Sequence, residues 1–140
     1  MVLSENEYII MKLLWSEGRP LSRAEVLKGT PGRNWNPASV HLILNSMLSK
    51  GAIRITDENV RYGRTYEALL TEETYIAETL RRTLPGNADS EILRKTILAM
   101  IDGGSIHQDE LKEMQKELVE KISSVPKKRG RKKKQDSENE

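Results

Sequence analysis

The chain has 140 residues, no cysteine and no phenylalanine, and a formal net charge of +2. This length allows one compact domain, or a small domain with an appendage, and the lack of cysteine excludes disulfides and thiolate metal sites. No apolar run approaches the roughly 18 residues that span a bilayer, and the first residues lack the basic start of a signal peptide. These features predict a cytoplasmic protein without a membrane partner.

The near-neutral total conceals charges that are separated along the chain. Residues 1–70 carry a net charge of +2, residues 71–125 carry −4, and residues 126–140 carry +4. The basic front and the strongly basic end favour a polyanionic partner, whereas the acidic middle is typical of a segment that avoids one.

Two helices that begin with capping boxes are predicted at the start of the chain. In Ser4-Glu5-Asn6-Glu7 the serine caps the helix and Glu7 reaches back to it, and Ser22-Arg23-Ala24-Glu25 repeats the arrangement. Gly18 ends the first helix, and the second is short and ends around Gly29.

The third predicted helix, 37–50, begins at Asn36-Pro37 and ends before Gly51. Its apolar residues recur at helical spacing and predict a buried stripe of Val40, Ile43, Leu44, Met47 and Leu48. No carboxylate lies along this helix, and its other face carries small or hydrogen-bonding residues, namely Ala38, Ser39, His41, Leu42, Asn45, Ser46 and Ser49. A helix that lies against DNA phosphates has this composition, so we interpret it as a recognition helix.

After Gly51 the periodicity becomes that of strands. Residues 52–56 and 60–69 alternate in polarity, with a turn at residues 57–59 and an interruption at Gly63-Arg64. Three helices followed by a two-stranded hairpin are the layout of a winged helix-turn-helix domain. The alternative is a small helical domain with an incidental hairpin, but the capping boxes, the Asn-Pro start and the glycine stop all favour the first interpretation.

Three short amphipathic helices are predicted in the acidic region, over about 71–84 and 90–101 and from about 105–107 onward. They are poor in aromatic residues and cannot bury their apolar stripes on each other alone, so the sequence predicts a homodimer. The predicted fold is mainly α with a small antiparallel β hairpin. Its parts are a winged helix DNA-binding domain (1–70), a helical dimerisation region (71–125) and a disordered basic tail (126–140).

The chain resembles the penicillinase repressor family of bacterial transcription regulators over roughly residues 3–122. The resemblance rests on four motifs in order, Leu3-Ser4-x-x-Glu7-x-x-x-Met11-x-x-x-Trp15, Trp35-Asn36-Pro37, Leu48-x-Lys50-Gly51 and Gly63-Arg64-x-Tyr66. It implies a homodimeric repressor whose winged helix reads a palindromic operator in double-stranded DNA and whose C-terminal helices dimerise. Some members are inactivated by a protease that cuts the C-terminal region, which would make a protease sensor an upstream partner.

The chain departs from the family pattern in three ways. Ala38, Ser46 and Ser49 stand where Lys or Arg is common, so the recognition helix has fewer phosphate anchors. Ala99-Met100 replaces Asn-Phe at the position of the protease site, which puts regulation by cleavage in question. The cysteine pairs of the copper-sensing branch are absent, which argues against copper control.

Eight residues are predicted to contact DNA. The resemblance implies this role for Ser39, which matches a hydroxyl residue that contacts operator DNA, and for Arg64, which matches the wing arginine. Asn45 can bind adenine through two hydrogen bonds and His41 can reach a base or a phosphate, while Leu42 is either a thymine-methyl contact or a core residue. The full set is Ser39, His41, Leu42, Asn45, Ser46, Lys50, Arg61 and Arg64. The alternatives are exposed side chains without a partner for Asn45 and His41, a cap filler for Ser39, and a solvated hairpin charge for Arg64.

The basic tail is predicted to contact nucleic acid through Lys127, Lys128, Arg129, Arg131 and Lys132. The simplest mechanism is sequence-independent phosphate binding with release of counterions. The alternative is insertion of Arg129-Gly130-Arg131 into a narrow A·T minor groove, in the manner of an AT-hook, although the proline that usually follows is missing.

The sequence predicts no enzyme, cofactor or metal site. It has two histidines and no cysteine, and it has neither a glycine-rich phosphate loop nor a close carboxylate pair between elements. We therefore interpret the chain as a sequence-specific DNA-binding transcriptional repressor that acts as a homodimer on a palindromic operator. The alternative is a degenerate winged helix that serves as a protein-interaction or nonspecific nucleic-acid-binding module held by its basic tail.

Overall fold

A computed structural model describes residues 1–86 and 89–124, in two compact units that divide after residue 86. The elements of the N-terminal unit are α1 (Glu5–Glu17), β1 (Leu21–Ser22), α2 (Arg23–Lys28), a 3-10 turn (Pro37–Ser39), α3 (Val40–Lys50), β2 (Ile53–Ile55), β3 (Thr65–Ala68) and α4 (Glu72–Thr83). The C-terminal unit contains α5 (Ser90–Asp102) and α6 (Gln108–Ser124). The described chain is therefore mainly helical with a small antiparallel sheet, as predicted. None of its helices is both long and apolar enough to cross a membrane.

Both predicted capping boxes form. Ser4 Oγ accepts from the Glu7 N–H at 3.2 Å, and the Glu7 carboxylate accepts from the Ser4 N–H at 2.7 Å. Ser22 and Glu25 exchange the same pair of hydrogen bonds, at 3.1 and 2.9 Å. These bonds satisfy amide groups that have no partner inside the helix, so local sequence sets where α1 and α2 begin.

The sheet has three strands rather than the two of the predicted hairpin. Its order is β1-β3-β2 and both pairings are antiparallel, with Leu21 and Ile55 on either side of Tyr66. A strand of two residues is too short to show alternating polarity, which is why sequence reasoning missed β1. The third strand covers only Thr65–Ala68 of the predicted 60–69, because the wing loop takes up the preceding residues.

The core of the N-terminal unit lies between α1, α2, α3 and the sheet. Its largest fully buried side chains are Ile10, Met11, Leu21, Val26, Val40, Leu44, Met47 and Ile53. Burying each such side chain is worth roughly 1.5–3 kcal/mol. Trp35 packs in the same core with 9% of its surface exposed, although its indole N–H has no hydrogen-bond partner among the described residues.

Helix α4 packs against α1 within the N-terminal unit. The Trp15 indole N–H donates to the Leu70 carbonyl at 2.8 Å, and the Tyr75 ring lies 5.9 Å from that of Tyr8 and 6.2 Å from that of Trp15. By its packing α4 therefore belongs with the winged helix, although the predicted dimerisation region starts at residue 71. The assignment of residues 71–125 to a dimerisation region stays a prediction.

The C-terminal unit has no buried residue in its described range, 89–124. Apolar side chains that are 44–74% exposed lie along both helices, and they are Ile92, Leu93, Ile97, Leu98, Met100, Leu118, Val119 and Ile122. Exposed apolar surface of this kind is typical of interaction sites when it forms a contiguous patch. All the predicted tail contacts, from Lys127 to Lys132, lie outside the described residues.

Candidate nucleic-acid interface

Helix α3 has one buried side and one exposed side. Val40, Leu44 and Met47 point into the core, as predicted, and Ile43 and Leu48 are half-buried against it. His41, Leu42 and Asn45 are exposed on the other side. Leu42 is 60% exposed, so the interpretation as a core residue is wrong, and a contact with a thymine methyl stays a prediction.

The first turn of the predicted recognition helix is a 3-10 turn, not an α-helical one. Asn36 caps it as predicted, because its side-chain oxygen accepts from the Ala38 N–H at 2.9 Å. The Ser39 N–H then donates to the Asn36 carbonyl three residues back, at 2.8 Å, which is the 3-10 pattern. Ser39 is half-buried where this turn meets α3, and its side chain makes no cap hydrogen bond.

The imidazole of His41 is held close to the start of α3. Its Nδ1 lies 2.9 Å from the Ala38 carbonyl oxygen. Because a carbonyl oxygen only accepts, Nδ1 carries the proton in this contact. In the neutral ring Nε2 is then an acceptor that is available to a base or a bound water.

Ser46 and Lys50 were predicted to face DNA, but the structure places both against Glu7. Ser46 Oγ donates to Glu7 Oε2 and Lys50 Nζ donates to Glu7 Oε1, each at 2.5 Å, and Lys50 Nζ also donates to the Val2 carbonyl at 2.8 Å. The start of α1 lies beside the end of α3, so these two side chains form hydrogen bonds within the N-terminal unit. We therefore leave both out of the proposed interface.

Glu7 is 3% exposed. Sequence reasoning predicted its capping role but missed its contacts with Ser46 and Lys50. Burial by itself raises its pKa, but the hydrogen bonds from Lys50, Ser46 and the Ser4 N–H together hold the pKa below its usual value. The available signal was its spacing, because residues 7, 11 and 14 share one face of α1 and the other two are buried.

The wing is the loop between β2 and β3. Gly63 has a φ of 71°, a left-handed conformation that other residues adopt rarely. Arg64 Nε donates to the Val60 carbonyl at 2.9 Å, which restrains its guanidinium, and the residue is exposed. Arg61 is also exposed, and Tyr62 is 87% exposed at the tip.

The acidic side chains of the described residues do not form a metal site. Within residues 1–86 and 89–124 no group of three His, Asp or Glu side chains is close enough to hold an ion.

Two comparisons with known proteins bear on this arrangement. The sequence model of a family described as Penicillinase repressor matches residues 3–120 of this chain. A protein of Latilactobacillus sakei, described as an uncharacterized 16.5 kDa protein in the ptsI 3′ region, is 22% identical over 126 residues, which cover 90% of this chain and 84% of that protein. The family match spans both units of the structure.

Proposed function

Because the chain belongs to the penicillinase repressor family, we propose that it is a cytoplasmic, sequence-specific transcriptional repressor. It binds a palindromic operator in double-stranded DNA as a homodimer. The coarser statement, that the chain is a DNA-binding transcription regulator of this family, follows from the family match itself. The choice of residues and the dimer are what we propose beyond it.

The observation that carries the proposal is the exposed face of α3. This face has no carboxylate, and the buried stripe beneath it holds the helix rigidly. A helix of this kind can lie in the major groove with side chains directed at base edges. Asn45 then binds adenine, His41 reaches a base or a phosphate, Leu42 contacts a thymine methyl, and Ser39 contacts DNA near the start of the helix.

The wing supplies contacts to the DNA backbone. Arg61 and Arg64 are exposed on the loop, and neither pairs with a carboxylate within residues 1–86. We place Arg64 on a phosphate or in the minor groove, with Arg61 beside it. Such contacts fix the position of α3 on the duplex but carry little sequence information.

The homodimer is supported by the apolar side chains along α5 and α6. They are exposed in the single chain, and a second copy can cover them on a symmetric interface. Ala99 and Met100 are exposed on α5. A protease sensor acting here would have to cut a helix that lacks the family's Asn-Phe pair, so we keep cleavage outside the proposal.

Footprinting of the DNA upstream of the chain's own gene tests the proposal. We expect two protected half-sites whose centres lie about one helical turn or a little more apart, roughly 10 base pairs. Sedimentation on the same sample should give the mass of two chains. A sample that protects no site at moderate salt, or that stays monomeric at high concentration, would contradict the proposal.

One observation favours the second candidate, a nonspecific module held by the basic tail. Lys50 is the only Lys or Arg of α3 and it is bound to Glu7, so the helix offers DNA no free cation. Deleting residues 126–140 separates the two candidates. A second variant, in which all seven Lys and Arg residues of the tail are replaced by Gln, removes the charge and keeps the length. A specific repressor keeps its preference for the operator and loses overall affinity, whereas the module loses all binding.

A further inference from the structure

A cleft beside the wing concentrates positive charge. It lies between the start of α2 and the wing loop, has a volume of about 290 Å³, and is lined by the side chains of Arg23, Arg61 and Arg64 together with Tyr62 and Tyr66. No carboxylate is among the residues that line it. Of the three arginines, sequence reasoning had singled out only the two in the wing.

The pairing of β1 with β3 builds this cleft. Ser22 lies opposite Thr65, so Arg23, the next residue and the first of α2, is brought to the base of the wing. Tyr66 is the central partner in the sheet and is 5% exposed, which makes that side of the cleft rigid. The hydrogen bond from Arg64 Nε to Val60 fixes one of the three guanidinium groups.

The three arginines are not paired with carboxylates in the described part of the chain. Among the other cations of the N-terminal unit, Lys12, Arg19, Lys50 and Arg54 form salt bridges with glutamates, whereas Lys28, Arg33, Arg81 and Arg82 form none with the described residues. Within residues 1–86 no such bridge involves Arg23, Arg61 or Arg64. Like charges gathered in one cleft repel each other, so an anion that enters between them lowers the electrostatic energy.

We propose that this cleft binds a phosphate of the DNA backbone and that Arg23 is one of its anchors. A guanidinium can donate two parallel hydrogen bonds to phosphate oxygens, whereas a lysine ammonium acts as a point charge. A cleft lined by arginines is therefore suited to a phosphate. All three side chains are exposed, which suits a phosphate carried on a long duplex. The cations that hold the protein on DNA then come from α2 and the wing, because α3 has none to offer.

This inference rests on the proposed function, but its test does not require a known operator. Binding of the full-length protein to a random-sequence duplex is measured at several salt concentrations, for the wild type, Arg23→Ala and Arg19→Ala. Arg19 is the matched control, because it is an exposed arginine whose charge is already paired with Glu17 and Glu25. Arg23→Lys forms the fourth arm, since it keeps the charge and loses the paired hydrogen bonds.

The plot of log K against log salt has a negative slope, and Arg23→Ala should make it shallower by about 0.9 for each bound subunit. At 0.1 M salt this corresponds to about an eightfold loss of affinity per subunit. Arg19→Ala should leave the slope unchanged, and Arg23→Lys should keep it at a lower affinity. Equal slopes for the wild type and Arg23→Ala would overturn the inference while leaving the proposed function intact. A wild type that binds no random-sequence duplex would also overturn the inference, whereas the proposed function is contradicted only if no site is protected upstream of the chain's own gene.

The cleft could also take free phosphate, and a separate arm distinguishes this source. Inorganic phosphate is titrated at constant ionic strength while the melting temperature of the wild type and of Arg23→Ala is recorded. We expect no saturable rise in either protein. A saturable rise that Arg23→Ala abolishes, with an unchanged slope on DNA, would assign the site to free phosphate and overturn the inference.

Discussion

The Glu7 carboxylate and the Lys50 ammonium join the start of α1 to the end of α3, at a distance of 2.5 Å and across 43 residues of sequence. The carboxylate is buried and also accepts from Ser46, so α3 is attached to α1 by two of its own polar side chains. Removing a buried carboxylate that accepts from several donors strongly destabilises a protein. The donors lose their partner and are too buried for water to replace it. This contact therefore helps to fix the position of α3 relative to α1.

Replacing Glu7 should destabilise the fold. Glu7→Ala removes the acceptor for the Ser4 N–H, Ser46 Oγ and Lys50 Nζ, and we expect a loss of about 2–3 kcal/mol in the free energy of unfolding. Urea denaturation measures it. Glu5→Ala is the control, because Glu5 is an exposed carboxylate in the same helical turn and should cost less than about 1 kcal/mol. Similar losses for both variants would show that the Glu7 contacts contribute nothing specific.

Stability should fall in acid partly through Glu7. The folded protein holds the pKa of Glu7 below its unfolded value, so the contribution of this group is complete above the unfolded pKa and is lost as the pH falls through the folded pKa. Glu25, whose pKa is lowered first by the hydrogen bond from the Ser22 N–H and then by that from Arg19, acts in the same direction. Comparison with Glu7→Gln isolates the Glu7 part, since that variant should lose less stability between neutral pH and the acid range. Parallel pH profiles would contradict the assignment.

Substitution on the exposed face of α3 should weaken operator binding without weakening the fold. For Asn45→Ala we expect a tenfold to hundredfold loss of affinity for the operator, about 1–3 kcal/mol, with nonspecific binding unchanged. Titration of operator and random duplexes by fluorescence anisotropy measures both. Asn6→Ala makes the same change on α1 and should leave both affinities as they are. An equal loss on the two duplexes would mean that Asn45 reads no base.

A charge on the apolar stripe of α6 should break the dimer. Leu118→Lys places an ammonium at a position that is 56% exposed in the single chain and that the proposed interface would bury. We expect sedimentation to show monomers, and operator affinity to fall because the two half-sites are no longer bound together. Glu120→Lys introduces the same side chain on nearly the opposite side of the helix and should leave the dimer intact. A dimeric Leu118→Lys protein would move the interface elsewhere.

Much of the fold could be predicted from sequence because its signals are local. The two capping boxes, the Asn36 cap and the glycines after α1 and α3 act within a few residues, and each of these boundaries is found where it was expected. The buried stripe of α3 follows from spacing alone. The strand β1 could not be predicted, because two residues show no period and pair only with a strand that is distant in sequence.

The sequence by itself determined the helix boundaries, the core-facing stripe, the carboxylate-free face of α3 and the family, since these depend on caps, spacing and motif order along the chain. Only the tertiary structure decided which polar residues are free for a partner. Ser46 and Lys50 have the composition of a DNA-binding surface, but Glu7 lies against them. In the sequence Arg23 looks like an ordinary solvated arginine, but the pairing of β1 with β3 places it beside the wing. Both outcomes depend on which residues far apart in sequence are brought together, and a linear pattern does not contain that information.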